Sequence, residues 1–447
     1  MNVLLIYPSA RRGRSTAFRE NQAIAQRYPG MGLTMVAALC PPDVRVSIID
    51  DEREPVPYDC PVDLVGISLL TANSGRGYEI AREFQRRGVP VVLGGMHVSA
   101  CPEEAAAEAD AVVVGEAEDT WPGLLKDFAG GALKKIYRST NAASLAGLPV
   151  PRRDLLRAED YTTVNNVQAT RGCPFNCEFC SITALLGHTT RCRPVEEVVE
   201  EVRGLAGRQF VLNDDNVAQE KDYFKELFRR LIPLRRQWAG NASWNISKDG
   251  EMLDLMARSG CVGVFVGFES IMPQAGLSKL ARGEDRLAVY KETVRKFHRR
   301  KICVIGAFIF GFDSDDTSVF APTLEFALES RIDTSQINIL VPYPGTPLYA
   351  RLEREGRIVE RDWSRYITDN VCFEPRRMSR RELLEGCAWV RERFYSYPRV
   401  AQRVARASVR ASPKATAAVL AVNMAFRRGI RDISTVRAAG EPAAVTA

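Results

Sequence analysis

The apolar positions of the first 130 residues fall into short runs, each closed by turn residues. Val3-Leu4-Leu5-Ile6 is soon followed by Pro8, and the run from Val44 to Ile49 closes on Asp50-Asp51. Leu64-Val65-Gly66-Ile67-Ser68 is a third run; Val91-Val92-Leu93 leads into Gly94-Gly95, and Ala111 to Val114 into Gly115-Glu116. Pro90 is tolerable because it opens its strand. Helix-like stretches such as Tyr78 to Arg87 and Glu103 to Glu108 lie between them. Short apolar strands separated by helices predict βαβ units on a parallel sheet. Such sheets bind ligands at the carboxyl ends of their strands.

From residue 131 to about 165 this rhythm is lost, and GLPVPRRDLL reads as a linker. It then resumes. Asn166 to Thr170, Gln209 to Leu212, Val262 to Gly267, Val304 to Phe310 and Ser335 to Val341 read as strands. Helical patterns lie between them, including Val195 to Leu205, opened by Pro194, and Lys221 to Leu231. About six such repeats predict a partial (β/α)6 barrel rather than a closed eightfold one. Beyond about 375 no strand pattern survives. Arg380 to Phe394, Val400 to Ser412 and Ala415 to Phe426 read as helices, the last two separated by Pro413. The predicted fold class is α/β: a Rossmann-like domain over 1–135, a linker over 136–165, a TIM-like partial barrel over 166–375 and a basic helical region over 376–447.

Composition sets bounds on this picture. A chain of 447 residues with 46% hydrophobic and 26% charged residues can build two or three cores. The start MNVLLIYPSA lacks the basic n-region of a signal peptide, and no run reaches the roughly 18 apolar residues of a spanning helix. A cytoplasmic protein is expected. The net charge of +6 is uneven: from Arg376 onward 15 Lys+Arg face 5 Asp+Glu, a net of +10, which leaves −4 for the rest. Arg399, Arg403, Arg406 and Arg410 follow a helical spacing after Phe394-Tyr395-Ser396-Tyr397, which predicts a helix with a basic face. It reads first as a solvated cap over the barrel and second as a peripheral contact with an anionic membrane. No nucleic-acid-binding motif is present, and no nucleic-acid partner is expected.

The 11 cysteines are an odd number in a chain expected in a reducing compartment, which argues against a disulfide framework. Most are scattered singly and read as small buried hydrophobes. One cluster differs: Thr170-Arg171-Gly172-Cys173-Pro174-Phe175-Asn176-Cys177-Glu178-Phe179-Cys180, with C-x3-C-x2-C spacing. Three thiolates this close can wrap one face of an iron–sulfide cube and leave one iron open to a cosubstrate. A structural zinc site would need a fourth ligand, with Cys192 and His188 the nearby candidates. A redox pair would use Cys177 and Cys180 alone and leave Cys173 unexplained.

RGCPFNCEFC resembles the radical S-adenosylmethionine (SAM) superfamily signature, in which an aromatic residue, here Phe179, precedes the last cysteine. The resemblance implies that Cys173, Cys177 and Cys180 bind a 4Fe–4S cluster whose fourth iron is chelated by SAM. An external one-electron reductant such as flavodoxin or ferredoxin then drives cleavage of SAM to a 5′-deoxyadenosyl radical. It also implies a SAM site that includes Phe179, with Asp214 and Asp215 near the methionine amine, Glu269 near the ribose, and Ile305 and Phe308 near the adenine. VPYPGTPLY (Val341 to Tyr349) resembles the family's last-strand loop. Residues 1–135 resemble the cobalamin-binding Rossmann-like domain that precedes many radical SAM enzymes, through GISLL, GGMHVSACPEEA and VVGEAEDTW. This implies cobalamin contacts from Ser68, Leu70, Gly94, Gly95, His97, Gly115 and Glu116. Cobalamin proteins that ligate cobalt from below use Asp-x-His-x-x-Gly after the first strand. Pro8-Ser9-Ala10-Arg11-Arg12-Gly13 has no histidine there, so that mode of ligation is excluded. The carboxyl-terminal region loosely resembles the branch that contains hopanoid methylases, whose substrates are lipids. The implied activity is methylation of an unactivated carbon in a small molecule or lipid. The alternatives are radical cyclisation, rearrangement, oxidation or carbon–carbon coupling without methyl transfer, and, outside enzymes, an iron–sulfur redox sensor. The sequence identifies no catalytic base.

Overall fold

A computed structural model describes residues 1–10, 28–139, 142–272, 285–410 and 413–439. The first unit contains β1 (Asn2–Tyr7), α1 (Met31–Ala38), β2 (Arg45–Asp50), β3 (Leu64–Ser68), α2 (Ser74–Arg86), β4 (Val91–Gly94), α3 (Met96–Ala100), α4 (Pro102–Ala107), β5 (Ala111–Val114), α5 (Trp121–Ala129) and β6 (Ile136–Arg138). Its strands form one parallel sheet in the order β2-β1-β3-β4-β5-β6. Alternation along the strands loads both faces. Leu4, Ile6, Val65 and Leu93 pack with Phe84 on one side, and Leu5, Val92 and Val113 with Leu33 and Trp121 on the other.

The sheet runs on to Arg138, into the stretch expected to be linker. Of the three residues of β6 only Tyr137 is buried, so the strand leaves almost no apolar signature. Arg11 to Gly13 of the loop after β1 lie outside the described residues.

The second unit contains β7 (Asn166–Val167), β8 (Thr170–Arg171), α6 (Ser181–Leu186), β9 (Arg191–Cys192), α7 (Val195–Gly204), β10 (Gln209–Leu212), α8 (Lys221–Leu231), β11 (Gln237–Ser243), α9 (Gly250–Arg258), β12 (Cys261–Glu269), α10 (Arg286–Arg299), β13 (Cys303–Phe310), α11 (Phe320–Glu329), β14 (Thr334–Ile339) and α12 (Pro347–Arg354). Six of its strands lie parallel in simple sequential order, β7-β10-β11-β12-β13-β14, and β8 and β9 form a short antiparallel pair. Each strand is laid beside the last through a crossover helix, the arrangement of a partial barrel. The helices supply the outer layer: α8 buries Phe224, Leu227, Phe228 and Leu231, one face at helical spacing. The sequence pattern had not revealed β11, QWAGNAS, which carries Gly240 and Asn241 in place of an apolar run. It is central all the same, and Trp238 stacks on Phe228 with ring centroids 5.0 Å apart.

The last unit is helical: α13 (Arg380–Phe394), α14 (Tyr397–Arg410) and α15 (Pro413–Ala439). Ser379 and Glu382 close a capping box on α13. Pro413 opens α15, where its missing N–H costs nothing. The basic stripe expected on α14 is broken, because Arg403 turns inward and is 4% exposed. Its guanidinium lies 4.1 Å from the Phe394 ring centroid and donates to Asn423 Oδ1 at 2.9 Å. Asn423 in turn donates to the Asp333 carbonyl and Thr334 Oγ1. These contacts seat α14 and α15 at the amino-terminal end of β14, the opposite edge of the barrel from the cysteines. No helix among the described residues is long and apolar enough to cross a membrane.

Candidate functional site

The cysteines lie on the loop that leaves the first barrel strand, and this loop is clamped at both ends. On the amino side, Asp214 follows β10 and is 1% exposed. It accepts hydrogen bonds from Ala169 N at 3.2 Å, from Thr170 N and from Thr170 Oγ1 at 2.6 Å. Asp215 accepts from Gly172 N at 3.0 Å. Burial raises both carboxyls, Asp214 to about 7. Gly172 has φ 95°, and a Cβ there would run into the Thr189 carbonyl, so glycine is required at this turn.

On the carboxyl side, the Cys180 N–H donates to the Cys177 carbonyl at 3.0 Å and closes a tight turn. The Glu178 carbonyl accepts from Leu348 N at 2.9 Å. Its carboxylate pairs with Arg351 at 2.9 Å, and Arg351 also holds Asp313 at 2.7 Å. Phe179 packs edge-on against Phe312, centroids 5.9 Å apart. The loop is thereby tied to the Val341 to Tyr349 segment across the open side of the barrel. The three thiols are half-buried and free of disulfides, and Gln219 Nε2 donates to Cys173 Sγ at 3.1 Å. Three sulfurs on one clamped turn fit an iron–sulfur cube gripped from one side.

The amino-terminal sheet faces this loop and is latched to it. Arg171, immediately before Gly172, pairs with Glu116 at 3.1 Å and Glu118 at 2.7 Å, and Arg191 reaches Glu116 at 2.5 Å. Glu116 is therefore occupied by two arginines. Burial alone would raise its carboxyl, but Arg191 and Arg171 more than offset that and leave it below the usual 4.5. Stability from such a group is full above the ordinary carboxylate range and is lost as pH falls through the depressed value. The melting temperature is expected to drop through that acid window. Glu116→Gln should cost about 3 kcal/mol at neutral pH by removing the buried carboxylate that Arg171 and Arg191 share, and it should flatten the acid limb of the melting profile.

Between the latch and the two sheets lies a cavity of about 510 Å³. Ser68, Gly94, Gly95 and Gly115 line it from the strand ends of the first sheet, and Arg171, Asp214 and Asp215 from the barrel. Close packing fixes glycine at two of its lining positions. A Cβ on Gly66 would meet Leu5 and Trp121, and one on Gly95, at φ 98°, would meet the Leu69 backbone. This cradle fits a flat heterocycle laid against the strand ends, as the nucleotide tail of a cobalamin would require. Four of the seven expected cobalamin contacts therefore share the cavity, and three do not. Glu116 is in the latch. Leu70 is 58% exposed beyond the strand end. His97 is fully buried away from the cavity, its Nε2 3.3 Å from Glu104 and its ring 5.4 Å from Trp363.

Of the expected SAM contacts, Asp214 and Asp215 border the cavity. Glu269 sits at φ 61° on a register shift between β12 and β13, its carboxyl close to Gly267. Ile305 and Phe308 are three apart on one strand and so occupy opposite faces. Phe308, 1% exposed, stacks on Phe268 at 5.7 Å and meets Phe326 of α11, so it belongs to the core under the helices and not to a ligand site. The sequence reading passed over Asn241, which lines the cavity from β11 and donates to the Asp214 carbonyl at 3.0 Å. It also passed over Gln219; its contact with Cys173 spans distant positions that no motif joins.

Comparison with known proteins agrees with this layout. Residues 22–125 match the model of the B12 binding domain, 167–327 that of the Radical SAM superfamily, and 346–434 a domain of unknown function, DUF4070. Bacteriochlorophyllide d C-12(1)-methyltransferase of Chlorobaculum tepidum is 31% identical over 386 residues, covering 84% of each chain. Hopanoid C-2 methylase of Rhodopseudomonas palustris is 28% identical, covering 76% of this chain and 67% of its own. The radical SAM methyltransferase TsrM of Kitasatospora setae shares the fold. Its structure with cobalamin and a [4Fe-4S] cluster bound superposes with TM-score 0.60 at 17% identity, covering 80% of this chain and 75% of its own. Its structure with tryptophan and aza-SAM gives 0.63 at 15%, covering 98% and 100%.

Proposed function

Because the chain belongs to the cobalamin-dependent radical SAM methyltransferases, we propose that it transfers a methyl group to an unactivated carbon of a small, largely apolar polycyclic molecule. The observation that carries this reading is the single cavity shared by the strand ends of both sheets. The cradle opens onto a space whose barrel wall includes Arg171 just before the cysteine loop and Ile182 just after it, so in this reading two cofactor chemistries meet at one substrate carbon.

In this reading Cys173, Cys177 and Cys180 ligate the cluster, and Ser68, Gly94, Gly95 and Gly115 contact cobalamin. When bound, the cluster supplies one-electron cleavage of SAM and cobalamin supplies the methyl group. The protein's part is to place and to shield. Asp214 and Asp215 fix the backbone before Cys173, and Arg351 and Phe179 fix it after Cys177. The Arg171 and Arg191 latch sets the spacing between cradle and loop and helps keep bulk water from the cavity. The electron comes from an external one-electron donor of the flavodoxin or ferredoxin class. The polycyclic substrate is argued from the apolar walls supplied by Leu33, Met35, Ile182 and Leu186, and from relatives named for a bacteriochlorophyllide and a hopanoid.

Anaerobic incubation with methyl-labelled SAM, cobalamin, a low-potential reductant and polycyclic candidates of these two classes should place label on product carbon. Formation of 5′-deoxyadenosine with no carbon label would refute methylation in favour of another radical outcome.

A further inference from the structure

Gln219 lies between the Asp214-Asp215 turn and α8, half-buried, with its amide fixed at both ends. Nε2 donates to Cys173 Sγ at 3.1 Å, and Oε1 accepts from the Thr190 hydroxyl at 2.7 Å. The two ends of an amide have nearly the same shape, but chemistry distinguishes them here. A ligating thiolate repels a carbonyl oxygen at that distance and accepts an N–H. Thr190 immediately precedes β9, the strand paired with β8 on the cysteine loop. The donor is thus held by the same hairpin that leads into the sulfurs.

Resting on the reading that Cys173 binds the cluster, we propose that Gln219 is a positioning residue that tunes the cluster's reduction potential through this N–H···S bond. A hydrogen bond to a ligating sulfur draws charge from it and stabilises the more negative, reduced cluster. The cluster must accept one electron from an external donor of fixed potential before SAM can be cleaved. A higher midpoint therefore enlarges the reduced fraction that is competent for the reaction.

The test uses full-length wild type, Gln219→Leu and Thr190→Val, reconstituted anaerobically and assayed for iron and sulfide. Each is then titrated with dithionite in the presence of mediators, and the reduced cluster is followed by EPR. Cluster-loaded Gln219→Leu is expected to titrate at lower potential than wild type, with the ratio of reduced to oxidised clusters about threefold lower at a fixed poise. For a one-electron couple this is about 30 mV. Thr190→Val, which frees the amide without removing it, should shift less and in the same direction. An unchanged midpoint in cluster-loaded Gln219→Leu overturns the proposal. If that variant fails to hold a cluster, an unchanged midpoint in Thr190→Val overturns it instead. Wild-type protein that takes up no cluster overturns the underlying reading of the cysteines, and this inference with it.

Discussion

Cys177→Ala is expected to abolish cluster binding and, with it, all SAM cleavage. Two sulfurs cannot hold a cube that must also keep one iron open, so iron and sulfide content should fall to background, together with the charge-transfer absorbance. Cys173→Ala and Cys180→Ala should behave alike. The fold should survive, because the loop is held by Asp214, Asp215 and Arg351 through contacts that do not involve sulfur. Replacing a half-buried cysteine by alanine costs about 1 kcal/mol, a small shift in melting temperature. Cys192→Ser is the control. Cys192 is exposed on β9, and if the loop carried a four-ligand zinc site it would be the nearest fourth cysteine along the chain. Its replacement should leave iron content and SAM cleavage unchanged; loss of metal in Cys192→Ser would favour the zinc arrangement.

The second large effect is expected at Asp214. Asp214→Ala removes the acceptor of three donors, Ala169 N, Thr170 N and Thr170 Oγ1, all at buried positions. Each buried donor left unpaired costs about 1–3 kcal/mol. Partial relaxation brings the expected total to about 3 kcal/mol, a large share of the roughly 5–15 kcal/mol that holds a domain together. The variant should melt earlier and take up well under half of the wild-type iron, because the backbone that aims Cys173 is no longer fixed. Melting curves and iron content read these two effects separately. A carboxylate that served only the methionine amine of SAM would behave differently: Asp214→Ala would load its cluster normally and lose only SAM affinity.

The sequence resolved whatever is written in local pattern. The apolar runs of β1, β3, β4, β12 and β13 are continuous, and the cysteine spacing is a property of eight neighbouring residues. What it left unread depends on contacts between distant positions. The sequence GEAED looks like a strand-end loop facing a ligand, and nothing local shows that Glu116 meets an arginine 75 residues away. His97 sits in a glycine turn that points at the cavity, yet its side chain is drawn the other way by Glu104 and Trp363. Asp214 borders the cavity, and its work as a backbone anchor shows only once β7 and β10 are adjacent. An interval of three along a strand already denies Ile305 and Phe308 a common face. Strand β11 was missed because Gly240, Asn241 and Ser243 interrupt its apolar run, and Asn241 faces the cavity.

One cavity serving an open-iron cluster and a cobalamin together is the central feature proposed for this chain. The most direct measurement is EPR of the reduced, anaerobically reconstituted wild type with and without SAM, on protein gel-filtered after exposure to cobalamin. The account predicts one cluster per chain, a cluster signal changed by SAM, and cobalamin absorbance that co-elutes with the protein. A cluster signal indifferent to SAM, or loaded protein that emerges free of cobalamin, would contradict it.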